Sequence, residues 1–184
     1  MSEDIATAAR SGSSALSVRR SWRVRVFSFP NPVNEKAARV VAGAVCVLSI
    51  VTLATGAYWL AAVLAYGFAA RVLAGPTLSP LGQLATRVVA PRLGPPKLVP
   101  GPPKRFAQAI GAVTTIAVAV TALVAGDHTI ADALLGLMIA GSALESLLAY
   151  CVGCQLFALL MRTGVIPEAI CLECADVSLR RASA

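Results

Sequence analysis

The sequence predicts an all-α, four-helix polytopic membrane protein: two antiparallel transmembrane hairpins, with an interfacial amphipathic helix in the central loop. Three observations carry this expectation. The 184 residues are 57% hydrophobic and only 14% charged, whereas a soluble domain carries about one quarter charged residues. The charges gather in an amino-terminal arm, a middle loop and a tail. Between them lie four apolar runs, each near the ~20 residues that a hydrocarbon core of ~30 Å requires. The net charge of +7 then reads as basic loops that orient a membrane protein, not as a nucleic-acid surface.

Residues 1–29 are expected to form a disordered basic arm on the cytoplasmic side. Ser11-Gly-Ser-Ser14 and Arg19-Arg-Ser-Trp-Arg-Val-Arg25 bury too little to offset chain entropy, and such a cluster either lies on anionic headgroups or is a solvated tail that sets topology. No charged segment followed by an apolar one opens the chain, so the first span is expected to serve as its own insertion signal. The prolines of Pro30-Asn-Pro-Val-Asn34 forbid helix there, and Asn34 is a natural N-cap for the first helix.

The membrane domain is expected over residues 30–163. Helix one is predicted from about Ala37 to Ala54 and helix two from about Ala57 to Leu73, joined by Thr55-Gly56. So short a link permits only an antiparallel hairpin. Both runs are rich in Ala and Gly, which let helix backbones approach closely in lipid. Residues 81, 84, 85, 88 and 89 are apolar, the spacing of an amphipathic helix lying at the interface. The proline-rich segment from Pro91 to Pro103 is expected to be semi-rigid and extended. Helix three is predicted from about Phe106 to Val124. Helix four starts near Ile130, after the turn Gly126-Asp-His-Thr129.

All sixteen Lys and Arg fall in the arm, the middle loop, the tail or the helix ends beside them. The positive-inside rule therefore predicts both termini in the cytoplasm. A helix rising about 1.5 Å per residue from Ile130 crosses the core near Tyr150, which brings Cys151-Val-Gly-Cys154 out at the cytoplasmic interface. A tail over 164–184 carries a second pair, Cys171-Leu-Glu-Cys174. That compartment is reducing, so such pairs are expected to cycle or to bind metal more often than to form permanent disulfides. The two pairs also match a zinc-site spacing, with Cys151, Cys154, Cys171 and Cys174 as the ligands. A third reading is four thiols that merely pack at the interface.

A continuous helix running into Cys151 would place the pair at a helix C-terminus. The dipole there would raise the thiol pKa unless Gly153 breaks the helix. Glu145 is the one acid well inside a span. It is expected either to pair with Arg71 or Lys104 or to handle protons. Cys46, alone among Ala and Val, reads as a packing residue. Lone His128 beside Asp127 and Asp132 reads as a helix-end residue. There is no Ser/His/Asp set, phosphate loop or H-E-x-x-H to suggest a hydrolase.

Phe29-Pro-Asn-Pro-Val-Asn34, Ser79-Pro80-Leu81, Pro102-Pro-Lys-Arg-Phe-Ala107, and Glu145 with Tyr150-Cys-Val-Gly-Cys154 together resemble bacterial membrane proteins of domain-of-unknown-function family 4395. The resemblance covers about Phe29 to Arg162. It implies a four-span protein of the bacterial cytoplasmic membrane with no established activity. Members of that family are often found near thioredoxin-like and sulfurtransferase proteins, which implies thiol chemistry by association. Two functions are then expected. One is a dithiol protein in which Cys151 and Cys154 exchange electrons with a cytoplasmic thioredoxin-like or sulfurtransferase partner and pass them to Cys171 and Cys174. The other is a non-catalytic membrane subunit whose four cysteines hold a structural zinc ion.

Overall fold

The computed structural model describes residues 30–167 together with Ile170, Cys171 and Cys174. The expected disordered arm lies outside the described residues, as does most of the tail. The chain runs β1 (Val33–Asn34), α1 (Glu35–Thr55), α2 (Trp59–Ala74), α3 (residues 80–92), β2 (Leu98–Val99), α4 (Gly101–Leu123), α5 (His128–Leu148) and α6 (Val152–Arg162). Four of these, α1, α2, α4 and α5, are long and apolar enough to cross a membrane. The fold is therefore the all-α four-helix membrane architecture that the composition predicts.

Three spans, α1, α4 and α5, begin earlier than their apolar runs, α2 begins two residues later than expected, and polar side chains cap α1 and α5. The Asn34 side chain accepts from the Lys36 N–H at 3.0 Å, which supplies one of the donors a helix start leaves unpaired with a partner. Glu35 occupies the first turn, where the helix dipole favours negative charge. Its carboxylate meets Lys97 Nζ at 2.8 Å, and its N–H donates to the Lys97 carbonyl at 2.8 Å. Val33 pairs with Val99 and Asn34 with Leu98 in a two-residue antiparallel ladder. This ladder ties the entrance of α1 to the proline-rich segment. With its polar start, α1 reaches 21 residues, enough for ~30 Å at 1.5 Å per residue.

Helix α4 starts at Gly101, five residues ahead of the position expected from hydropathy. Pro102 and Pro103 fall in its first turn, where a missing N–H breaks no helical bond. The Gly101 N–H donates to Asn31 Oδ1 at 2.8 Å. A Cβ on Gly101 would lie 2.6 Å from the Pro30 carbonyl oxygen, so only glycine fits there.

The interfacial helix is present as α3, but it is not regular. It is α-helical over Pro80–Leu84, π-helical over Ala85–Val89 and α-helical again over Ala90–Arg92. The buried face consists of the small residues Gly82, Ala85 and Ala90, while Leu84 and Val88 are exposed. Small residues, with Leu81, thus seat α3 on the bundle, and Leu84 and Val88 face outward.

Although α1–α2 and α4–α5 are consecutive, the main contacts cross between the hairpins: α1 packs chiefly on α5, and α2 chiefly on α4, with α4 also against α5. Val41, Val45, Leu64, Phe68, Ala85 and Met138 form one core cluster. Ala61, Val118, Ala122, Ala131 and Leu135 form another. Less than half of each span is buried inside the protein. The exposed Val47, Val63, Val113 and Leu137 belong to the lipid-facing surface of such a bundle.

At the end of the bundle that carries the two tight turns, Asp127 Oδ1 accepts from the Ile130 N–H at 3.0 Å and caps α5. Tyr58 stacks on His128 with ring centroids 4.8 Å apart, and its hydroxyl donates to Asp132 Oδ1 at 2.8 Å. His128 is thus a helix-end residue held between the turns, as its position suggests.

Candidate functional site

The site is made where α5 stops. Ala149 adopts φ 55°, a left-handed conformation uncommon for a residue with a Cβ. The N–H groups of Ala149 and Tyr150 both turn back to the Leu144 carbonyl. The last carbonyls of α5 are met from another helix. Arg39 of α1 donates to the Ser146 carbonyl from Nε at 3.1 Å and from Nη2 at 2.9 Å, and to the Leu147 carbonyl at 3.2 Å. A cation at a helix C-terminus also complements the dipole.

A new helix then begins with Cys151 as its N-cap, in extended conformation with φ −90° and ψ 103°. Its carbonyl accepts from the Gln155 N–H at 3.1 Å. This reverses one expectation from the sequence. The chain does not run into the cysteines as a continuous helix, so Cys151 sits at a helix N-terminus, where the dipole favours thiolate. The break is at Ala149 and not at Gly153. Gly153 is helical, and a Cβ on it would lie 2.6 Å from Cβ and 2.7 Å from Cα of Ala107. It lets the first turn of α6 press directly on α4. Phe157 completes that contact against Phe106, with ring centroids 5.6 Å apart. At 11 residues, α6 is about 16 Å long and too short to span.

Cys151 is buried and Cys154, one turn on, is half-buried; both are free thiols. Beside them, Lys104 Nζ contacts Glu145 Oε1 at 2.6 Å, with both side chains largely buried. Of the two partners expected for Glu145, the structure pairs it with Lys104. Arg71 instead donates from Nε to Gln108 Oε1 at 2.7 Å and from Nη1 to Ser79 Oγ at 3.2 Å, with its guanidinium 4.5 Å from the centre of the Phe68 ring.

The two thiols are electrostatically unequal. Interaction with the Cys154 thiol holds Cys151 below the ordinary thiol pKa; the Lys104 ammonium and the Cys154 backbone N–H act in the same sense, against burial and the Glu145 carboxylate. Interaction with Cys151, burial and the Glu145 charge push the Cys154 thiol up. The first cysteine is therefore the one suited to become a thiolate.

The second pair is joined: Cys171 and Cys174 form a disulfide, with Cα atoms 5.3 Å apart. Cys171 is buried, and its neighbour Ile170 lines a hollow of about 400 Å³ with Phe106 and Phe157. Ile170 thus lies at the α4–α6 face. Among the described residues, no three His, Cys, Asp or Glu side chains are gathered as a metal-binding group. Cys46 donates weakly to the Ile139 carbonyl at 3.8 Å within the span, consistent with a packing residue.

A cavity of about 330 Å³ opens between the spans and reaches the site. Val41, Phe68, Ile110 and Met138 are among its apolar walls, while Gln108, Glu145 and Cys151 line it as polar or reactive groups. Sequence reasoning did not anticipate this cavity, the cap from Arg39 or the role of Gly153.

No curated protein and no solved structure matches this chain. A family model described as Domain of unknown function (DUF4395) matches residues 33–162, the stretch that holds all four spans, the Lys104–Glu145 pair and Cys151-Val-Gly-Cys154, and the chain belongs to that family.

Proposed function

We propose that this protein is a membrane-anchored dithiol that exchanges electrons with a cytoplasmic thioredoxin-like or sulfurtransferase protein through Cys151 and Cys154. The observation that carries the reading is the position of Cys151 as N-cap of α6, with Cys154 one turn inside it. A thiolate at Cys151 attacks a sulfur of the partner's disulfide, and one partner thiolate leaves. The Cys154 thiol, once deprotonated, attacks the resulting mixed disulfide at the Cys151 sulfur and releases the second. The partner gains two electrons, and Cys151 and Cys154 become a disulfide. The reverse sequence reduces them. The tail disulfide Cys171–Cys174 serves this reading as the next carrier. The membrane is the bacterial cytoplasmic membrane, with both termini inside, a reading supported by the distribution of Lys and Arg.

Equilibration of the purified protein in glutathione buffers, followed by acid quench and alkylation, tests the reading. Cys151 and Cys154 are expected to pass together between dithiol and disulfide. Stoichiometric zinc in protein purified without added metal, with four thiols shielded from alkylation until chelator is added, would replace this reading with the four-cysteine zinc site.

A further inference from the structure

The geometry points to a second redox partner within the bilayer: a lipid-soluble quinone that enters the cavity between the spans and oxidises Cys151 and Cys154. This inference rests on the dithiol reading above. The cavity, at about 330 Å³, lies within the ~300–1,000 Å³ of small-molecule sites. Its walls are mostly apolar, and it is bounded by helices α1, α2, α4 and α5, whose outer faces are apolar. A ligand for it must therefore be apolar. Cys151 lines it, and Cys154 does not. Cys151, the thiol that meets the aqueous partner, is thus also the one that the cavity reaches, and Cys154 stands one turn on as the resolving thiol.

A dithiol that becomes a disulfide gives up two electrons and two protons, and a lipid-soluble quinone is an apolar ring that accepts both and carries carbonyls for a polar wall group such as Gln108. The balance closes without another reactant. Both S–H bonds break, the Cys151–Cys154 S–S bond forms, and two electrons and two protons reduce the quinone to its quinol. Gln108 suits one carbonyl of the ring. Its oxygen is held by Arg71 at 2.7 Å, which leaves its amide N–H groups to donate. The cavity also has an open wall position. A Cβ added to Gly141, which lines it, meets nothing within 4 Å.

The test uses the full chain in lipid nanodiscs, reduced, freed of reductant and mixed with decyl-ubiquinone, whose fully substituted ring disfavours direct thiol addition. One quinol per disulfide formed is expected, with a Cys151–Cys154 disulfide seen by mass spectrometry after alkylation. Gly141→Leu should raise the quinone concentration needed for half-maximal rate about tenfold, equivalent to ~1.4 kcal/mol of binding. It should leave oxidation by glutathione disulfide unchanged, which also shows that the variant is folded. Gly136→Leu is the control, because Gly136 is exposed and does not line the cavity. A dithiol that glutathione disulfide oxidises but the quinone does not would overturn this inference and leave the dithiol reading intact. Unchanged quinone reduction in Gly141→Leu would also overturn it, by placing the reaction outside the cavity. Resistance to both oxidants would overturn both.

Discussion

Gly153 and Ala107 meet so closely that a Cβ on the glycine would lie 2.6 Å from the Cβ of the alanine. The glycine of Cys151-Val-Gly-Cys154 is thus a packing requirement of the α4–α6 contact. It sets the start of α6 against the same helix that carries Lys104, and so fixes the thiols beside the ion pair.

Substituting Gly153→Ala should therefore displace α6. The clash includes the Ala107 backbone, which cannot move aside as a side-chain tip can, and overpacking of this kind costs about 1–3 kcal/mol. A lower melting temperature and altered alkylation of Cys151 are expected, with partial recovery in Gly153→Ala/Ala107→Gly. Wild-type stability and reactivity in the single variant would show that α6 is not pressed on α4.

The pH dependence of Cys151 reactivity should respond in opposite senses to the two charges beside it. Lys104 favours the thiolate and Glu145 opposes it. The alkylation rate of Cys151 should reach half its plateau at a pH below the ~8.5 of a free cysteine. Below that midpoint the thiolate is lost, so reactivity falls as pH falls. Lys104→Met should move the midpoint up and Glu145→Gln should move it down. Shifts of the same sign would mean that the charges do not act directly on the thiol.

Breaking the Lys104–Glu145 pair should cost more than removing it. Glu145→Leu leaves a buried ammonium without its partner, a loss of about 3–5 kcal/mol in comparable sites. Glu145→Gln keeps an acceptor for Lys104 and should lose less. The double variant Lys104→Leu/Glu145→Leu should regain part of the stability lost by Glu145→Leu alone. Equal melting temperatures for all three would show the carboxylate to be solvated.

Much of the fold was legible because lipid imposes a coarse rule: apolar runs of the right length become spans. The helix starts were less so. Hydropathy pointed to Phe106 for the third span, while the prolines at 102 and 103 and the glycine at 101 extend the helix towards the site. At the cysteines, local pattern was insufficient for a plain physical reason. The end of α5 is decided by Arg39, over one hundred residues away in sequence, and by a left-handed alanine. Glycine would have announced such a break; alanine gives no sign. The dipole argument at Cys151 depended on that break, so its sign changed. Glu145 was legible as a buried acid, and its choice of Lys104 over Arg71 needed the helix packing.

The expected orientation has its own test. A reporter active only outside the cytoplasm should be active when fused after Gly126 and silent when fused after Ala184. An active carboxyl-terminal fusion would put the cysteines in an oxidising compartment and remove the argument from reducing conditions.

The most direct measurement is a trap. In cells carrying Cys154→Ser, the resolving sulfur is gone, so a mixed disulfide between Cys151 and its partner should accumulate. Non-reducing electrophoresis after acid quench should show a shifted band that collapses with reductant, and mass spectrometry should find Cys151 joined to a cysteine of a thioredoxin-like or sulfurtransferase protein. The band should be absent in Cys151→Ser/Cys154→Ser. A Cys154→Ser protein whose Cys151 is recovered only as a free thiol, under conditions where the wild-type pair is seen to cycle in cells, would contradict the account.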